Sequence, residues 1–501
     1  MKDTLALNPN PLTRFLEKPS QDFTKNDLIR FIESNGIEMI NFRYAGADGR
    51  LKTLNFIINS KRHLDSMLSA GERVDGSSLF PHYVEAGSSD LYVIPRYRTA
   101  FVNPFSEVPT LDVLCSYYNK DGLPFANSPE YILRKSHQVL QEQTGMLLEG
   151  MGELEYYIIS DKDSAYEAID ERGYHESPPF TKWGGLRMEA MRAIAKCGGN
   201  IKYGHSEVGN FSEGCFTYEQ SEIEFIPVKL EEAADQILIA KWVLRCLAYK
   251  YSVTATFAPK ITTGKAGSGL HIHTKLMKDN NNAMVEDGLL SNAAKKIIAG
   301  YVDLAQSLTA FGNTIPTSYF RLVPQQEAPT NICWGDRNRS VLVRVPLGWN
   351  SNISMISDCN PNEKDCERDF TRRQTVEFRC PDGSADIYLL LAGLTVAARH
   401  GLTMNNALSI AKESYVDVNI FEEKHKGRTT HLKQLPDSCW HSADCLEKQR
   451  AIYEKFNVFP HQIIDGIIKK LRSYNDEQLR ASIQDNEKEV LKLVKAYLHC
   501  G

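Results

Sequence analysis

The sequence predicts an α+β protein of two unequal domains, a small β-rich one followed by a larger one whose mixed, largely antiparallel sheet is flanked by helices. Three observations predict it. The chain has 501 residues, 42% hydrophobic and 24% charged, enough to bury more than one core. Between Ile37 and Val113, short apolar runs (IEMINFRYA, LKTLNFII, LYVIP) are separated by turn formers (AGADG, GERVDGSS, AGSSD), a pattern of strands with few helices. Beyond residue 128, strand and helix periodicities alternate irregularly.

Residues 1–25, rich in Pro, Asn and charge, read as an N-terminal arm. Helical spacing begins at Asn26 with Leu28, Ile29, Phe31 and Ile32 on one face, opening a small domain expected over 26–125. Ser128-Pro129 supplies a polar cap and a first-turn proline for a helix that stops near Gly145, so the large domain is expected over 126–501. Within it the pattern predicts strands at 151–159, 222–226, 253–258 and 269–275 and helices at 184–196, 230–250 and 291–310. Residues 347–373 form a polar loop, and 445–498 returns to helical spacing through Ile463, Ile464, Ile467, Ile468 and Leu471.

A formal net charge of −5 argues against a nucleic-acid partner, which a basic patch would mark. Eleven scattered cysteines without a CxxC pair suggest reduced thiols in a cytoplasm rather than a disulfide framework or a thiolate zinc site. The N-terminus lacks the apolar core of a signal peptide. The longest apolar run, from Ile387, is shorter than the roughly 20 residues of a spanning helix, so no membrane is expected.

GELEYY sets Glu153 and Glu155 on one face of a strand, with Leu154 and Tyr156 on the other. Residues i and i+2 lie about 6.5 Å apart, so the two carboxylates repel unless cations sit above them, each glutamate leaning toward a different ion. The bland alternative is a strand with a wet face. AGSGLHIHTKL repeats the spacing with His271 and His273, and Glu207, Glu222, Glu224 and Glu377 add acids beside apolar, β-favouring neighbours. An oxygen-rich set with few imidazoles suits Mg²⁺ or Mn²⁺ better than Zn²⁺.

GDRNRSVLVRVP and VEFRCPDG contribute Arg337, Arg339, Arg344 and Arg379. Arginine forks suit phosphate and carboxylate, and phosphoryl transfer is mostly positioning and charge neutralisation by such groups with divalent ions. No GxxxxGK[ST] loop is present, and GKAGSG leads into a strand, so a nucleotide has to bind by another arrangement.

VDGSS (74–78), GELEY (152–156), HSEV (205–208), AGSGLHIH (266–273), SYFRLVPQQEAP (318–329), RNRSVLVRVP (337–346) and VEFRCPD (376–382) occur in the order found in the glutamine synthetase family, which the chain resembles from about residue 25 to 420. The resemblance implies a β-grasp domain before the catalytic domain, in a dodecamer-like, ring-forming homo-oligomer with active sites between subunits. It also implies glutamate, ATP, two or more Mg²⁺ or Mn²⁺ ions, and ammonia as the acceptor. Residue by residue, it makes Glu155, Glu207 and Glu222 ligands of one ion, and Glu153, His271 and Glu377 ligands of another. Arg339 and Arg344 resemble phosphate-binding arginines, Arg321 and Arg379 holders of glutamate, His273 a nucleotide neighbour, and Gly267 a backbone contact for the amino acid. Asp75 resembles the residue that reaches a neighbouring subunit's site to bind ammonium, Glu327 the flap glutamate that takes a proton, and Tyr174 joins them.

Several positions depart from the family pattern. Ala266 and Thr317 stand where Asn is usual, Lys275 where Ser is common, and Asp386-Ile387 where Asn-Pro is usual; the 207–222 interval and the 347–376 loop are longer. These departures leave open a larger acceptor amine, such as a polyamine or ethanolamine, and a catalytically silent structural or regulatory relative. Tyr415 lies near the region resembling the family's modifiable loop and reads equally well as a packing residue.

Overall fold

In the computed structural model, residues 5–81, 84, 89–167, 169–323, 328–348, 355–363, 373–425 and 430–501 are described. The segment expected as an arm carries a helix, Pro11–Leu16, capped by the Asn10 side chain, with Leu12 and Leu16 buried in the core of the small unit. The next helix, Lys25–Ser34, starts with a capping box between Thr24 and Asp27 and buries Leu28, Ile29, Phe31 and Ile32, the face its spacing predicts. Burial raises the Asp27 pKa, but hydrogen bonds from Lys18 and Thr24 outweigh it and bring it to about 2. A carboxylate held below its unfolded value stabilises the fold above that value and stops doing so as pH falls through the folded one. Acid titration between pH 4 and 2 should therefore remove this contribution, and the stability of Asp27→Asn should respond less to pH over that window.

Among the described residues, the small sheet has six strands: β1 (Met39–Ala45), β2 (Leu51–Ile57), β3 (Glu72–Asp75), β4 (Asp90–Pro95), β5 (Phe101–Val102) and β6 (Thr110–Tyr118). They run in the order β2-β1-β6-β4-β3, with β5 also on β6 and only β1 and β6 parallel. The stretch GERVDGSS, expected as a turn, instead holds β3 and a short helix, Gly76–Leu79, that Asp75 caps. A helix not expected from the sequence, Lys61–Ala70, buries only Leu64, Met67 and Leu68.

Among the described residues, the large sheet has ten strands. Its central ones are β7 (Leu147–Asp161), β8 (Ile201–Glu213), β9 (Phe216–Phe225) and, after β10 (Val228–Lys229) and β11 (Thr254–Thr256), β12 (Leu270–Lys278). β13 (Asn281–Asn282), paired with β12, and a separate two-stranded hairpin of β14 (Val285–Glu286) and β15 (Leu289–Leu290) precede the remaining strands of the sheet, β16 (Trp334–Asp336), β17 (Val343–Val345) and β18 (Val376–Phe378). The main order is β16-β17-β18-β12-β7-β9-β8, antiparallel except for β16 with β17. The stretch read as an insert between Glu207 and Glu222 is the far end of the β8–β9 hairpin, which turns at Gly214 with φ 61°.

One face of this sheet is apolar. Leu154, Tyr156, Leu270 and Ile272 are buried beneath helices that include Gly184–Lys196 and Leu230–Lys250. Gly152, between the apolar Met151 and Glu153, lets a helix close on the sheet: a Cβ there would lie 2.7 Å from Ile237 Cδ1. The helix expected near 129 runs Pro129–Thr144 and ends on Gly145 with φ 69°, but the Ser128 hydroxyl makes no capping bond. The apolar run from Ile387 forms the core helix Ile387–Thr403, whose first turn Asp386 caps through the amides of Tyr388 and Leu389. Among the described residues, no single helix is long and apolar enough to cross a membrane; that helix reaches the length only together with Ala407–Glu413, bent 108° from it. Ile463, Ile464, Ile467, Ile468 and Leu471 are buried on the helix His461–Arg472.

The two units share a buried polar seam. Arg96 grips Asp235 of the helix Leu230–Lys250 through two bonds of 2.8 and 2.9 Å, Arg98 adds one of 2.9 Å, and the Tyr388 hydroxyl donates another at 2.7 Å. Arg43, bonded to Asp112 at 2.7 Å, lies over the ring of Trp242 from the same helix.

Candidate active site

The carboxylates and imidazoles meet because of strand register. Across β12, β7 and β9, His271 faces Glu153 and Glu153 faces Glu224; two residues along, Glu155 faces Glu222, which faces His205 of β8. On the other side of β12, His273 faces Glu377, and Glu377 faces Arg344 of β17. The period of two turns all these side chains to the face opposite Leu154 and Ile272, as the sequence predicts for the pairs at 153/155 and 271/273. They line a cavity of about 1490 Å³.

Contacts inside the cavity are close. Glu153 Oε2 lies 2.9 Å from His271 Nδ1 and Glu153 Oε1 2.8 Å from His273 Nε2. Glu377 accepts from Arg344 at 2.9 Å and from Arg379 Nε at 3.0 Å, and lies 3.6 Å from His271 Nδ1. His205 Nε2 is 3.3 Å from Glu222, and its Nδ1 is 3.7 Å from Glu207. Glu155 Oε2 accepts from the amide of Gly269 at 2.5 Å, while its Oε1 is 3.8 Å from His271.

The field runs from an acidic end to a basic one. Burial, then the crowding of Glu153, Glu155, Glu207 and Glu224, pushes the Glu222 carboxyl well above its usual range. Burial also opposes ionisation of Glu153, but His273 and His271 hold it well below the ordinary value. Arg379 does the same for Glu377 against its burial. His273 is buried, yet Glu153 raises its pKa.

This donor set fits divalent cations: carboxylates that repel one another when ionised converge on one face with imidazoles among them. Among the described residues, three groups place ligand atoms within 4.8 Å of one another: Glu153, His273 and Glu377; Glu153, Glu222 and His271; and His205, Glu207 and Glu222. Glu153 is shared between two of these groups, and His205 is a residue that sequence reasoning passed over. HSEV sets His205 two positions before Glu207, the same spacing that singled out the other pairs. Mn²⁺ at about 100 times its Kd should stabilise the fold by about 2.7 kcal/mol, read as a rise in melting temperature over chelator-treated protein.

Arg339, Arg344, Arg379, Arg321, Tyr174 and Gly267 line the same cavity. Burial lowers the Arg339 pKa, but Tyr174, hydrogen-bonded to it, raises it overall. Arg321 is buried, with its fork donating to the carbonyls of Arg379, Cys380 and Pro381. Gly267 has no room for a side chain: a Cβ would lie 2.6 Å from the carbonyl of Pro259 and 2.9 Å from Arg321 Cγ.

Asp75 is not in the cavity of its own chain. It is exposed on the small unit and accepts from Ser77 and Ser78. Glu327 lies outside the described residues, as do parts of the 347–376 loop. Ala266 lines the cavity, whereas Thr317 is buried away from it with its hydroxyl unpaired. Lys275 lines the cavity and pairs with Glu149 at 2.8 Å. Tyr415 packs on Trp334, with ring centroids 4.8 Å apart.

A β-rich unit followed by a sheet that carries carboxylates, imidazoles and arginines over one cavity defines a protein suited to divalent ions and oxyanionic substrates. The chain belongs to the glutamine synthetase family: residues 126–491 match the model of the glutamine synthetase catalytic domain, and residues 36–120 that of the glutamine synthetase beta-grasp domain. A glutamine synthetase of Clostridium saccharobutylicum is 28% identical over 435 residues, covering 85% of this chain and 90% of that protein. The Plasmodium falciparum glutamine synthetase structure superposes with a TM-score of 0.73 at 20% identity over 91% of this chain and 97% of that one. A structure of GmaS without ligand gives 0.72 at 19% over 92% and 100%.

Proposed function

We propose that this protein is an ATP-dependent ligase that joins glutamate to ammonia through γ-glutamyl phosphate, forming glutamine. The observation that carries this reading is that a single cavity gathers every residue nominated by resemblance except Asp75 and Glu327. Mg²⁺ or Mn²⁺ held by Glu153, Glu155, Glu207, Glu222, His271 and Glu377 would supply charge neutralisation for the phosphoryl group. The chain's own groups do the rest. Arg339 and Arg344 orient the phosphates, with His273 beside the nucleotide. Arg321, Arg379 and the backbone of Gly267 hold glutamate so that its γ-carboxylate meets the γ-phosphorus in line. Asp75 of the partner subunit binds ammonium in a ring-forming oligomer, and Glu327 closes the site, takes a proton and keeps water from the acyl phosphate. The scattered cysteines, without a CxxC pair, support a cytoplasmic setting in this reading.

A panel of amines scored by phosphate release from ATP and glutamate tests the acceptor. Ammonia is the expected best acceptor. Preference for ethanolamine or a polyamine would reassign the acceptor and keep the phosphorylation step; no release with any amine would overturn the ligase reading.

A further inference from the structure

We infer that Gln220 is the positioning residue that sets the amino-acid end of the cavity, an inference that rests on the ligase reading. Opposite it the β8–β9 ladder breaks: Ser206 pairs with Ser221 and Asn210 with Glu219, so Gln220 alone faces Glu207, Val208 and Gly209. A bulge of this kind re-aims a side chain, and here it carries Glu207.

Gln220 is 1% exposed, and its amide is used at both ends. Its Oε1 accepts from the Gly209 amide at 3.0 Å, on the bulge. Its Nε2 has acceptors in the Gly267 carbonyl at 3.0 Å, Ser268 Oγ at 3.2 Å and Glu155 Oε2 at 3.4 Å. An amide donor on one side and a carbonyl acceptor on the other leave a single orientation for the side-chain amide. One side chain thus ties together the bulge of Glu207, the carboxylate of Glu155 and the loop of Gly267. Those three lie on β8, on β7 and before β12; the Glu155 amide reaches the Gly269 carbonyl at 3.3 Å, while the ladder between β8 and β9 is interrupted at the bulge.

Gly209 belongs to the same device. A Cβ there would lie 2.7 Å from Gln220 Oε1 and would collide with the Tyr157 hydroxyl, which itself donates to the Ala266 carbonyl at 2.9 Å. The bulge can approach Gln220 only because residue 209 has no side chain. By contrast, among the described residues Glu377 is held by Arg344 and Arg379, and His273 by Thr375 and Glu153, none of which is a hydrogen-bond partner of Gln220.

The test uses Gln220→Leu, Gln220→Glu and Gly209→Ala in the full-length protein. Gln220→Glu keeps an acceptor for Gly209 and loses the donors to Gly267 and Ser268. In Gln220→Leu and Gln220→Glu, KM for glutamate should rise about 10- to 100-fold, the usual range for groups that orient ligands, with KM for ATP unchanged. Gly209→Ala should shift it in the same direction. A calorimetric Mn²⁺ titration, which needs no turnover, should show one class of ion weakened about tenfold or more and the other unaltered. Parallel losses in both KM values that track a fall in melting temperature would reduce Gln220 to a structural role. Unchanged glutamate KM and Mn²⁺ affinity would overturn the inference outright. A wild-type protein that releases no phosphate defeats the ligase reading instead, and the Mn²⁺ titration then decides the role of Gln220 by itself.

Discussion

Glu155→Ala is expected to weaken the binding of glutamate and of the ion beside it, and Glu153→Ala chiefly that of the ion facing the nucleotide phosphates, each by about 10- to 100-fold or more. The two carboxylates share a face of one strand, yet their surroundings differ. Glu153 bridges His271 and His273 toward Glu377 and the arginines, whereas Glu155 leans on the amide of Gly269 and faces Glu222 across the ladder. Mn²⁺ titrations together with KM for glutamate and for ATP separate the two defects. Identical defects in both variants would contradict a division of labour between them.

Asp235→Ala should cost about 3–5 kcal/mol of stability. Its carboxylate is buried and is the shared acceptor for Arg96, Arg98 and the Tyr388 hydroxyl. Its removal strands Arg96 without its counter-charge in the seam between the two units. The desolvation of that guanidinium is then uncompensated, which is why truncating one partner costs more than the pair contributes. Denaturant unfolding measures the loss, and separate transitions for the two units would be a further sign that the seam couples them. A loss under about 1 kcal/mol, the range of exposed pairs, would show that the seam is solvated.

The sequence made legible whatever depends on local periodicity. The face shared by Glu153 and Glu155, the second face of His271 and His273, and the helices 184–196 and 230–250 all follow from spacing alone. β8 was missed because Ile201–Glu213 is polar, interrupted by Gly204 and Gly209, and half-exposed along most of its length. The helix Lys61–Ala70 was missed for a related reason, since only three of its side chains are buried. Which carboxylate stands beside which imidazole was not legible, because that depends on register between strands far apart in sequence. The pairing of Glu222 with His205, and the sharing of Glu153 by two clusters, arise only when β7, β8, β9 and β12 align. Gln220 escaped notice for the same reason: its importance lies in four partners from three separate segments.

The acyl phosphate can be tested by isotope transfer. With glutamate carrying ¹⁸O in its γ-carboxylate, attack on the γ-phosphorus leaves one labelled oxygen bridging carbon and phosphorus, and displacement by the amine sends it out with phosphate. One ¹⁸O in each released phosphate, dependent on amine and divalent ion, is the expected result. Phosphate that leaves without label, its new oxygen drawn from solvent, would contradict formation of γ-glutamyl phosphate in this cavity.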